Sequence, residues 1–478
     1  MKTCPLAMKK LYVLLTLSLS FSFAGFAQNG PTEGPGYYFN GFQHYRTKNV
    51  DSALYFIRLL ASDKKYLPTL EDLLHNSFAQ SFIKRTDSDF VNEAQKQYYL
   101  KDVETARILL PAMMADKNAG LKKAVQPVYY WARVQENENN DALLRELVAE
   151  FINTQLSTTD MYTNRVGRYA LLIHRVIAPK KSLEATANEL LKPVITNLKN
   201  NQVTGIEGAA RPLLIKRAWY RFLYAYSNSV QGKALLAENR IKEAGPYLKT
   251  AFEYSPDITD KNVQYSFFYD LFFLTNKEDI TFQDEYIDYL TKNSGNKQET
   301  LSALMTTALV NTSFKDQLKT FYNNNFPGRE SFNDYWIKSI NQQAQKAPAV
   351  SLKLMDGSQF SSSKQKNKWI LLDFWGTWCG PCRREHPDLE KFYKNISTAS
   401  TGKITLVTIA CLDNEKNVSG YMTQNKYSFP VAMSDKRVEK SYNINSYPSK
   451  VLISPQGKYL VVPFGIDWVD FVKKYADL

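Results

Sequence analysis

The stretch WILLDFWGTWCGPCRREHPDL, residues 369–389, constrains the fold of this chain more than any other feature. Its apolar first part, WILLDF, predicts a buried strand, and the polar sequence after Cys382 predicts a helix. Gly376 lies between the two and predicts a tight turn. The turn therefore places Cys379 and Cys382 at a helix N-terminus, where the helix dipole and unpaired N–H groups favour a thiolate.

Length and charge limit the possible architectures and partners. A chain of 478 residues is too long for one hydrophobic core, so two or three domains are expected. The formal net charge of +13 is modest for this size. The sequence has no basic run with interleaved aromatic residues, so nucleic acid is not among the predicted partners.

Residues 1–27 have the pattern of a secretory signal peptide. Lysines precede the apolar stretch LYVLLTLSLSFSFAGFA, which is too short and too rich in serine for a membrane span. Gly25 and Ala27 are the small residues that a signal peptidase reads, so cleavage is expected before Gln28. An uncleaved N-terminal anchor is the alternative. No later stretch is apolar enough to span a bilayer, so no stable membrane span is expected after the signal is removed.

The cysteines point to chemistry rather than to a disulfide scaffold. The mature chain would keep Cys379, Cys382 and Cys411, which are too few to staple a fold. A zinc site needs four ligands, and only His386 and Cys411 remain near the pair; covalent haem attachment needs a histidine where Arg383 stands. We therefore predict no metal and no cofactor. Cys411 is interpreted as an inert buried thiol in the strand ITLVTIACL.

The region before the dithiol domain is predicted to be helical. Residues 28–36 are rich in glycine and proline and predict a flexible start. Residues 37–343 place apolar residues three or four apart, with breaks at short polar clusters, and this predicts an all-α domain built like a helical repeat. The aromatic cluster YSFFYDLFF, residues 265–273, is interpreted as core, with a peptide groove as the alternative.

One window of this helical region, residues 225–256, resembles a tetratricopeptide repeat. Gly232, Ala244, Ala251 and Pro256 fall at the spacing of the small residues and the closing proline of that family. Small residues let two antiparallel helices approach closely, and the proline ends the second helix. The resemblance implies a helical hairpin, and a generic helical pair is the alternative.

From residue 344 to residue 478 the sequence alternates between strands and helices. VSLKLMDGSQF predicts a hairpin that turns at Asp356-Gly357, while WILLDFW and ITLVTIACL predict buried strands. KNVSGYMTQNK predicts a helix, SKVLISPQGKYLVV a second hairpin, and DWVDFVKKYADL a closing amphipathic helix. The chain is therefore predicted to be multidomain, with an α/β C-terminal domain that has helices on both faces of a mixed sheet.

The motif FWGTWCGPCRREHP resembles the active-site stretch of the thioredoxin fold, and residues 344–478 resemble its exported TlpA/ResA branch. Several residues agree with that family at fixed spacing. Asp373 stands where thioredoxins keep a buried acid, Pro387 where they kink the helix, and Tyr447-Pro448 where the family has its cis-proline. The C-terminal domain is thus expected to be thioredoxin-like.

The resemblance implies a role for each residue of this motif. Cys379 would be the more exposed, attacking thiolate, and Cys382 would resolve the mixed disulfide, so the two would form the redox disulfide. Asp373, buried beneath the pair and neutral more often than a surface carboxylate, could relay the proton of Cys382. The substrate-binding residues that the resemblance implies are Trp378, Tyr447 and Pro448.

Together these features predict a thiol–disulfide oxidoreductase in the periplasm or cell envelope of a Gram-negative-type bacterium. The Gly-Pro between the cysteines resembles reducing members, so we expect reduction of disulfide-bearing protein clients with electrons from a membrane donor of the DsbD/CcdA type. Two other interpretations stay open. The helical domain could bind a client for a redox domain that acts only on tethered partners, and a thioredoxin-fold peroxidase is the weaker alternative.

Overall fold

The computed structural model describes residues 34–157, 160–206, 208–261, 263, 266–277, 280–398, 402–462 and 466–476. The predicted signal peptide, residues 1–27, lies outside the described residues, as does most of the predicted flexible start. The chain divides into two compact units. The first unit consists of Met1–Pro256 and Val263–Phe282, and the second unit consists of Asp257–Asn262 and Gln283–Leu478. Among the described helices none has the length and apolar character that a membrane crossing requires.

The first unit is built from helices in its described part. Its first helix begins at Pro35, inside the predicted flexible start. Its α-helices are Pro35–Tyr45, Val50–Ala61, Leu67–Asp72, Glu93–Met114, Ala119–Glu136, Asp141–Gln155, Val166–Ile177, Glu184–Asn200, Arg211–Ala237, Ile241–Tyr254 and Phe268–Thr275. Shorter helical turns are the 3₁₀ segments Lys64–Tyr66, Phe78–Phe82, Asp87–Asp89, Thr163–Arg165 and Lys181–Leu183, and the π-helical segment Leu73–Ser77.

Amphipathic patterning and caps account for these helices. In Val50–Ala61 the side chain of Asn49 accepts a hydrogen bond from the Ser52 N–H at 2.9 Å, which satisfies a backbone donor that the first turn leaves unpaired. The apolar face of the same helix, which includes Ile57 and Leu60, is fully buried. Burial of such faces against neighbouring helices forms the core of the unit.

The window 225–256 covers the end of the helix Arg211–Ala237 and the whole of the helix Ile241–Tyr254, and these two helices form a hairpin. At their contact a Cβ atom on Gly232 would lie 2.7 Å from Leu248 Cδ2, so this approach requires glycine. The structure therefore has the close helix contact that the small residues predicted. Assignment of the window to the tetratricopeptide family stays a prediction.

The second unit contains a mixed β-sheet. Its strands are β1 Gln345–Lys346, β2 Ser351–Lys353, β3 Gln359–Ser361, β4 Trp369–Trp375, β5 Ile404–Ala410, β6 Val431–Met433, β7 Ser449–Ile453 and β8 Lys458–Val461. Six of them form one sheet in the order β1-β8-β7-β4-β5-β6, while β2 and β3 pair as the predicted hairpin. β4, β5 and β6 are parallel, and β7 is antiparallel to β4 and β8.

The helices of this unit come before, between and after the strands in the sequence. They are Ile258–Lys261, Gln283–Asn293, Lys297–Val310, Lys315–Asn325, Phe332–Gln343, Gly380–Thr398, Glu415–Asn425, Arg437–Ser441 and Trp468–Ala476, with 3₁₀ turns at Thr312–Phe314 and Ser362–Lys364. The alternation of strands and helices after residue 344 confirms the predicted α/β class, and the first unit confirms the predicted all-α class.

The second compact unit includes residues 283–343, which lie before the domain boundary predicted at residue 344, and that boundary stays a prediction. The indole N–H of Trp336 donates a hydrogen bond to the Tyr475 carbonyl at 3.1 Å, and Lys315 Nζ donates to the Lys474 carbonyl. These bonds join the helices of residues 283–343 to the C-terminal helix. Helical periodicity reports which face of a helix is buried but not which partner buries it, so the sequence could not separate these helices from the first unit.

Candidate active site

β4 leads directly into the cysteine pair. The strand ends at Trp375, residues 376–379 form the turn, and the next helix begins at Gly380. Cys379 and Cys382 are joined by a disulfide, with their Cα atoms 5.3 Å apart. Cys379 is 4% exposed and Cys382 is 1% exposed, so the two cysteines differ less in exposure than the resemblance implied.

The helix N-terminus is directed at the sulfur of Cys379. The N–H of Cys382 donates a hydrogen bond to Cys379 Sγ at 3.2 Å. Hydrogen bonds to charged acceptors are stronger than those to neutral ones, and the positive end of the helix adds to the effect. After reduction of the pair, Cys379 is therefore the cysteine whose thiolate this geometry stabilises.

Trp378 forms an exposed apolar wall at the turn. Its side chain is half-exposed, its indole N–H donates to the Cys411 carbonyl at 3.2 Å, and its ring meets Tyr447 edge-on with the centroids 5.6 Å apart. A Cβ atom on Gly376 would lie 2.4 Å from Trp378 Nε1, so glycine is required beneath the indole. A large apolar side chain therefore remains in solvent beside the cysteine pair.

The Tyr447–Pro448 peptide bond is cis, the conformation that the resemblance implied. The Tyr447 hydroxyl donates a hydrogen bond to Glu439 Oε1 at 2.6 Å. Burial opposes ionisation of Glu439, but hydrogen bonds from Ser434 and Tyr447 lower the pKa of this carboxyl overall. Burial and the same carboxylate raise the pKa of Tyr447. Glu439 therefore anchors the tyrosine that packs against Trp378.

Asp413 holds the turn that precedes Cys379. Its Oδ2 atom accepts hydrogen bonds from the N–H and the hydroxyl of Thr377, both at 2.7 Å. Burial raises the pKa of Asp413, but these bonds and a neighbouring backbone N–H lower it overall. Thr377, Asp413 and Trp378 also line an open cavity of about 420 Å³. The residues that position the turn thus border this cavity.

Asp373 is buried, as predicted, and lies in an ion pair. Lys450 Nζ, on β7, lies 3.0 Å from Asp373 Oδ1 and donates a hydrogen bond to Glu385 on the helix. Burial opposes the charge of Lys450, but the two carboxylates raise its pKa overall. The part predicted for Asp373 in proton transfer stays a prediction.

Cys411 and His386 are buried and neutral near the site. Cys411 lies one residue beyond the end of β5, whereas the prediction placed it inside that strand. Burial raises the pKa of its thiol, in agreement with an inert role. His386 Nδ1 lies 2.8 Å from the Tyr421 hydroxyl oxygen. Burial, assisted by the charge of Lys450, lowers the pKa of His386 to about 4. In the described part of the chain, no three His, Cys, Asp or Glu side chains form a cluster that could hold a metal ion.

Sequence reasoning missed Lys450, Glu385 and Glu439. Lys450 carried a signal, because it is a lone cation in the buried strand SKVLI, and a buried lysine needs an anionic partner. Glu385 and Glu439 stand among other charged residues in helices, and nothing in their spacing distinguishes them from solvated side chains.

Comparisons with known proteins match the C-terminal part of this chain. Residues 344–460 match the model of the AhpC/TSA family. Thioredoxin-like protein YneN of Bacillus subtilis (strain 168) is 32% identical over 136 residues, which are 28% of this chain and 78% of YneN. The chain belongs to the thioredoxin-like family.

Two further relatives in this thioredoxin-like family come from the same organism. Thiol-disulfide oxidoreductase ResA is 29% identical over 160 residues, covering 33% of this chain and 83% of ResA. Sporulation thiol-disulfide oxidoreductase A is 26% identical over 147 residues, covering 30% and 88%. Among solved structures, a thiol:disulfide interchange protein of Chlorobium tepidum TLS is 28% identical, covers 28% of this chain and 94% of that chain, and has a TM-score of 0.26.

Proposed function

We propose that this thiol–disulfide oxidoreductase reduces the disulfides of protein clients in the bacterial cell envelope. The observation that carries the proposal is the Cys379–Cys382 disulfide at the N-terminus of the helix Gly380–Thr398, with the Cys382 N–H directed at Cys379 Sγ. A purely structural bridge needs no such donor. A thiolate nucleophile gains from it.

In the proposed reaction the reduced Cys379 thiolate attacks one sulfur of the client disulfide. A Cys379–client bond forms, and the other client sulfur leaves with the electron pair and takes a proton. Cys382 then loses its proton to Asp373 and attacks Cys379 Sγ. The second client sulfur leaves as a thiolate, so the client gains two electrons and the enzyme ends as the disulfide.

Trp378, Tyr447 and Pro448 form the proposed client surface. The exposed indole supplies an apolar contact, Glu439 holds the tyrosine against it, and the cis-proline lacks an N–H that would otherwise compete for a client strand. The neighbouring cavity of about 420 Å³ would take a client side chain close to the disulfide under attack.

Insulin reduction and a redox titration test the proposed chemistry. Cys379→Ser and Cys382→Ser should each abolish turnover, while the matched control Cys411→Ala, which removes a buried thiol, should keep it. A potential near that of thioredoxin, about −270 mV, supports a reductase, whereas a value above about −180 mV would reverse the proposed direction. Cys382→Ser protein that consumes peroxide at the full rate would instead favour the peroxidase interpretation.

Export by residues 1–27 and supply of electrons by a membrane donor of the DsbD/CcdA type belong to the same proposal. Fractionation of cells that express the full chain checks the location. Deletion of the donor checks the supply of electrons, because Cys379 should then lose its reduced form. Recovery of the intact precursor in the cytoplasm would contradict the proposed location.

The first unit is proposed to recruit the client. A Cys382→Ser trap in the full chain should capture clients as mixed disulfides with Cys379, which mass spectrometry can identify. A chain that lacks residues 28–282 should capture fewer clients while still reducing insulin, because tethering raises only the effective concentration of bound clients. Equal capture by the two chains would exclude a recruiting role.

A further inference from the structure

Two cations at the surface around the cysteine pair are open to solvent. Arg384 lies on the helix that follows the pair, and Lys436 lies in the turn after β6. Both residues are exposed. In the part of the chain that the structure describes, neither side chain forms an ion pair or a hydrogen bond. Their charges are therefore available to a partner.

The Arg384 guanidinium is folded back toward the cysteine pair. Arg384 follows Cys379 by five residues, and helical side chains lean toward the N-terminus of their helix. Its Nη1 atom is 3.7 Å from the position of a Cβ atom built on Gly380, which is exposed and directly follows Cys379. Arg383 differs, because its guanidinium carbon lies 5.9 Å from the ring centroid of Tyr421. Arg384 is therefore the arginine at the rim of the dithiol.

Lys436 approaches the same surface from another element. It lines the cavity of about 420 Å³ that Thr377 and Trp378 also line. Its φ of +61° is left-handed, a conformation that is uncommon for a lysine. The Lys436 N–H donates a hydrogen bond to Ser434 Oγ at 2.9 Å, which helps to hold this backbone. The residue is therefore fixed at the rim of the cavity, beside the proposed client surface.

Four carboxylates of the same region already have partners within the unit. Each of them accepts a hydrogen bond from a neighbouring side chain. The pairs are Asp413 with Thr377, Glu385 with Lys450, Asp435 with Arg437 and Glu439 with Tyr447. Asp388 is exposed one turn beyond Arg384, further from the cysteines, and forms no ion pair with it. Next to the cysteine pair, the described residues thus leave cations and not anions available to a client.

We propose that this surface selects clients that carry acidic residues beside the attacked disulfide, with Arg384 and Lys436 as the residues that determine the preference. This preference rests on the proposed function, because it names the class of client that Cys379 attacks. The attacking thiolate is itself an anion, so without these cations it would repel an acidic client. A carboxylate within a few residues of the client cysteine would pair with Arg384 or Lys436 and offset that repulsion.

The charge of the whole C-terminal domain acts in the same direction. Residues 344–478 contain 19 lysines and arginines and 12 acidic residues, which is a net charge of +7. Long-range attraction raises the rate of encounter with an anionic partner, and salt screens it over about 10 Å at 0.1 M ionic strength. Contact with Arg384 and Lys436 adds a local part, because an exposed ion pair changes an equilibrium constant by up to about fivefold.

Single-turnover reduction of matched peptides tests the preference. Each peptide contains one cysteine as a mixed disulfide with 5-thio-2-nitrobenzoate, flanked by glutamates, glutamines or lysines. The reduced Cys379 thiolate of the full chain attacks the peptide sulfur, a Cys379–peptide bond forms, and thionitrobenzoate leaves with the electron pair and is measured by its absorbance. The rate of Cys379→Ser protein is subtracted. Each rate is divided by that of 2-mercaptoethanol, a neutral thiol, so that differences in the reactivity of the peptides cancel.

At low salt the glutamate peptide should react about fivefold faster than the glutamine peptide. Arg384→Gln and Lys436→Gln should each lower that ratio by about twofold or more, whereas Arg384→Lys should keep more of it than Arg384→Gln does. Arg384→Glu should shift the preference toward the lysine peptide. High salt should bring the ratio of the wild-type chain close to one, because it screens exposed charges.

The matched control is Lys391→Gln, which removes the same charge from an exposed position about 10 Å further along the same helix and should leave the ratio unchanged. Equal rates with the glutamate and glutamine peptides, or an effect of Lys391→Gln as large as that of Arg384→Gln, would overturn the preference alone. A chain that reacts with none of the peptides would overturn the proposed function, and the preference with it.

Discussion

Each unit contains a buried cation that is paired with a carboxylate. The two ion pairs differ in how many of their possible hydrogen bonds are formed. In the helical unit Arg168 binds Asp270 through two bonds, Nε to Oδ1 at 2.7 Å and Nη2 to Oδ2 at 3.0 Å. Its remaining donors reach the His75 carbonyl and Asn76, and the Trp219 indole donates to the same Asp270. Both side chains of this ion pair are therefore held by several hydrogen bonds.

The site of the second unit is less constrained. Lys450 contacts Asp373 without a hydrogen bond and reaches Glu385, which is open to water. A flexible ammonium can exchange protons and partners, whereas a guanidinium with a bidentate carboxylate cannot. The comparison shows that the Arg168 pair is enclosed and held by several hydrogen bonds, whereas the Lys450 group includes one carboxylate that is 34% exposed.

The largest expected difference between the units is chemical. Cys379→Ser should lower the rate of insulin reduction by about 10³-fold or more, because it removes the proposed nucleophile and the described cysteine outside the pair, Cys411, is buried. Arg168→Met protein, assayed where it is still folded, should keep the wild-type rate per folded molecule. A fall in that rate comparable to the Cys379→Ser fall would show that the two sites are not separate in function.

The next effect is on stability. Arg168→Met leaves Asp270 buried without its cation, so it should reduce the free energy of unfolding by about 3–5 kcal/mol. Urea denaturation followed by far-ultraviolet circular dichroism measures the loss. Arg240→Met, at an exposed ion pair of the same unit, is the control and should cause no resolvable change. A loss below about 1 kcal/mol in Arg168→Met would contradict a structural role for the pair.

A third effect depends on pH. Burial lowers the pKa of His174 in the helical unit and of His386 in the second unit to about 4. The unfolded chain binds these protons near pH 6.5, so stability is lost as the pH falls from about 6.5 to about 4, by up to about 3 kcal/mol for each histidine. His174→Gln and His386→Gln should each flatten this slope, as measured by urea denaturation at pH 7 and pH 4.5.

The same two histidines distinguish the effect of burial on a pKa from the effect of a neighbouring charge. Burial is the cause at His174, whereas Lys450 and Arg383 add to it at His386. Lys450→Met should therefore raise the pKa of His386, measured by NMR of the imidazole protons, and leave that of His174 unchanged. Equal shifts at both histidines would mean that the substitution acts through the fold.

The smallest effect concerns packing. Gly232→Ala should destabilise the helical unit by about 1 kcal/mol, because the clash with Leu248 exceeds the gain in helix propensity. Gly420→Ala is the matched control in a helix of the second unit, where a Cβ atom meets nothing within 4 Å, and it should stabilise by up to about 1 kcal/mol. Thermal denaturation compares the two, and a stabilising Gly232→Ala would contradict the close contact.

Much of the second unit could be predicted because its elements are local patterns. The apolar run before Gly376 and the periodic sequence after Cys382 give a strand, a turn and a helix without any distant contact. The cis peptide before Pro448 followed from a resemblance rather than from local physics. The ion-pair partner of Asp373 could not be predicted, because it is Lys450, a residue distant in sequence.

The sequence by itself determined where the dithiol lies and that a helix N-terminus favours its thiolate, because these depend on neighbours within a few residues. Only the tertiary structure decided what surrounds the dithiol. The β4–β7 register sets Lys450 opposite Asp373, and the helix brings Glu385 to the same ammonium. Tertiary contacts also assign residues 283–343 to the second unit. Pairing between distant segments is a property of packing, and periodicity within each segment does not encode it.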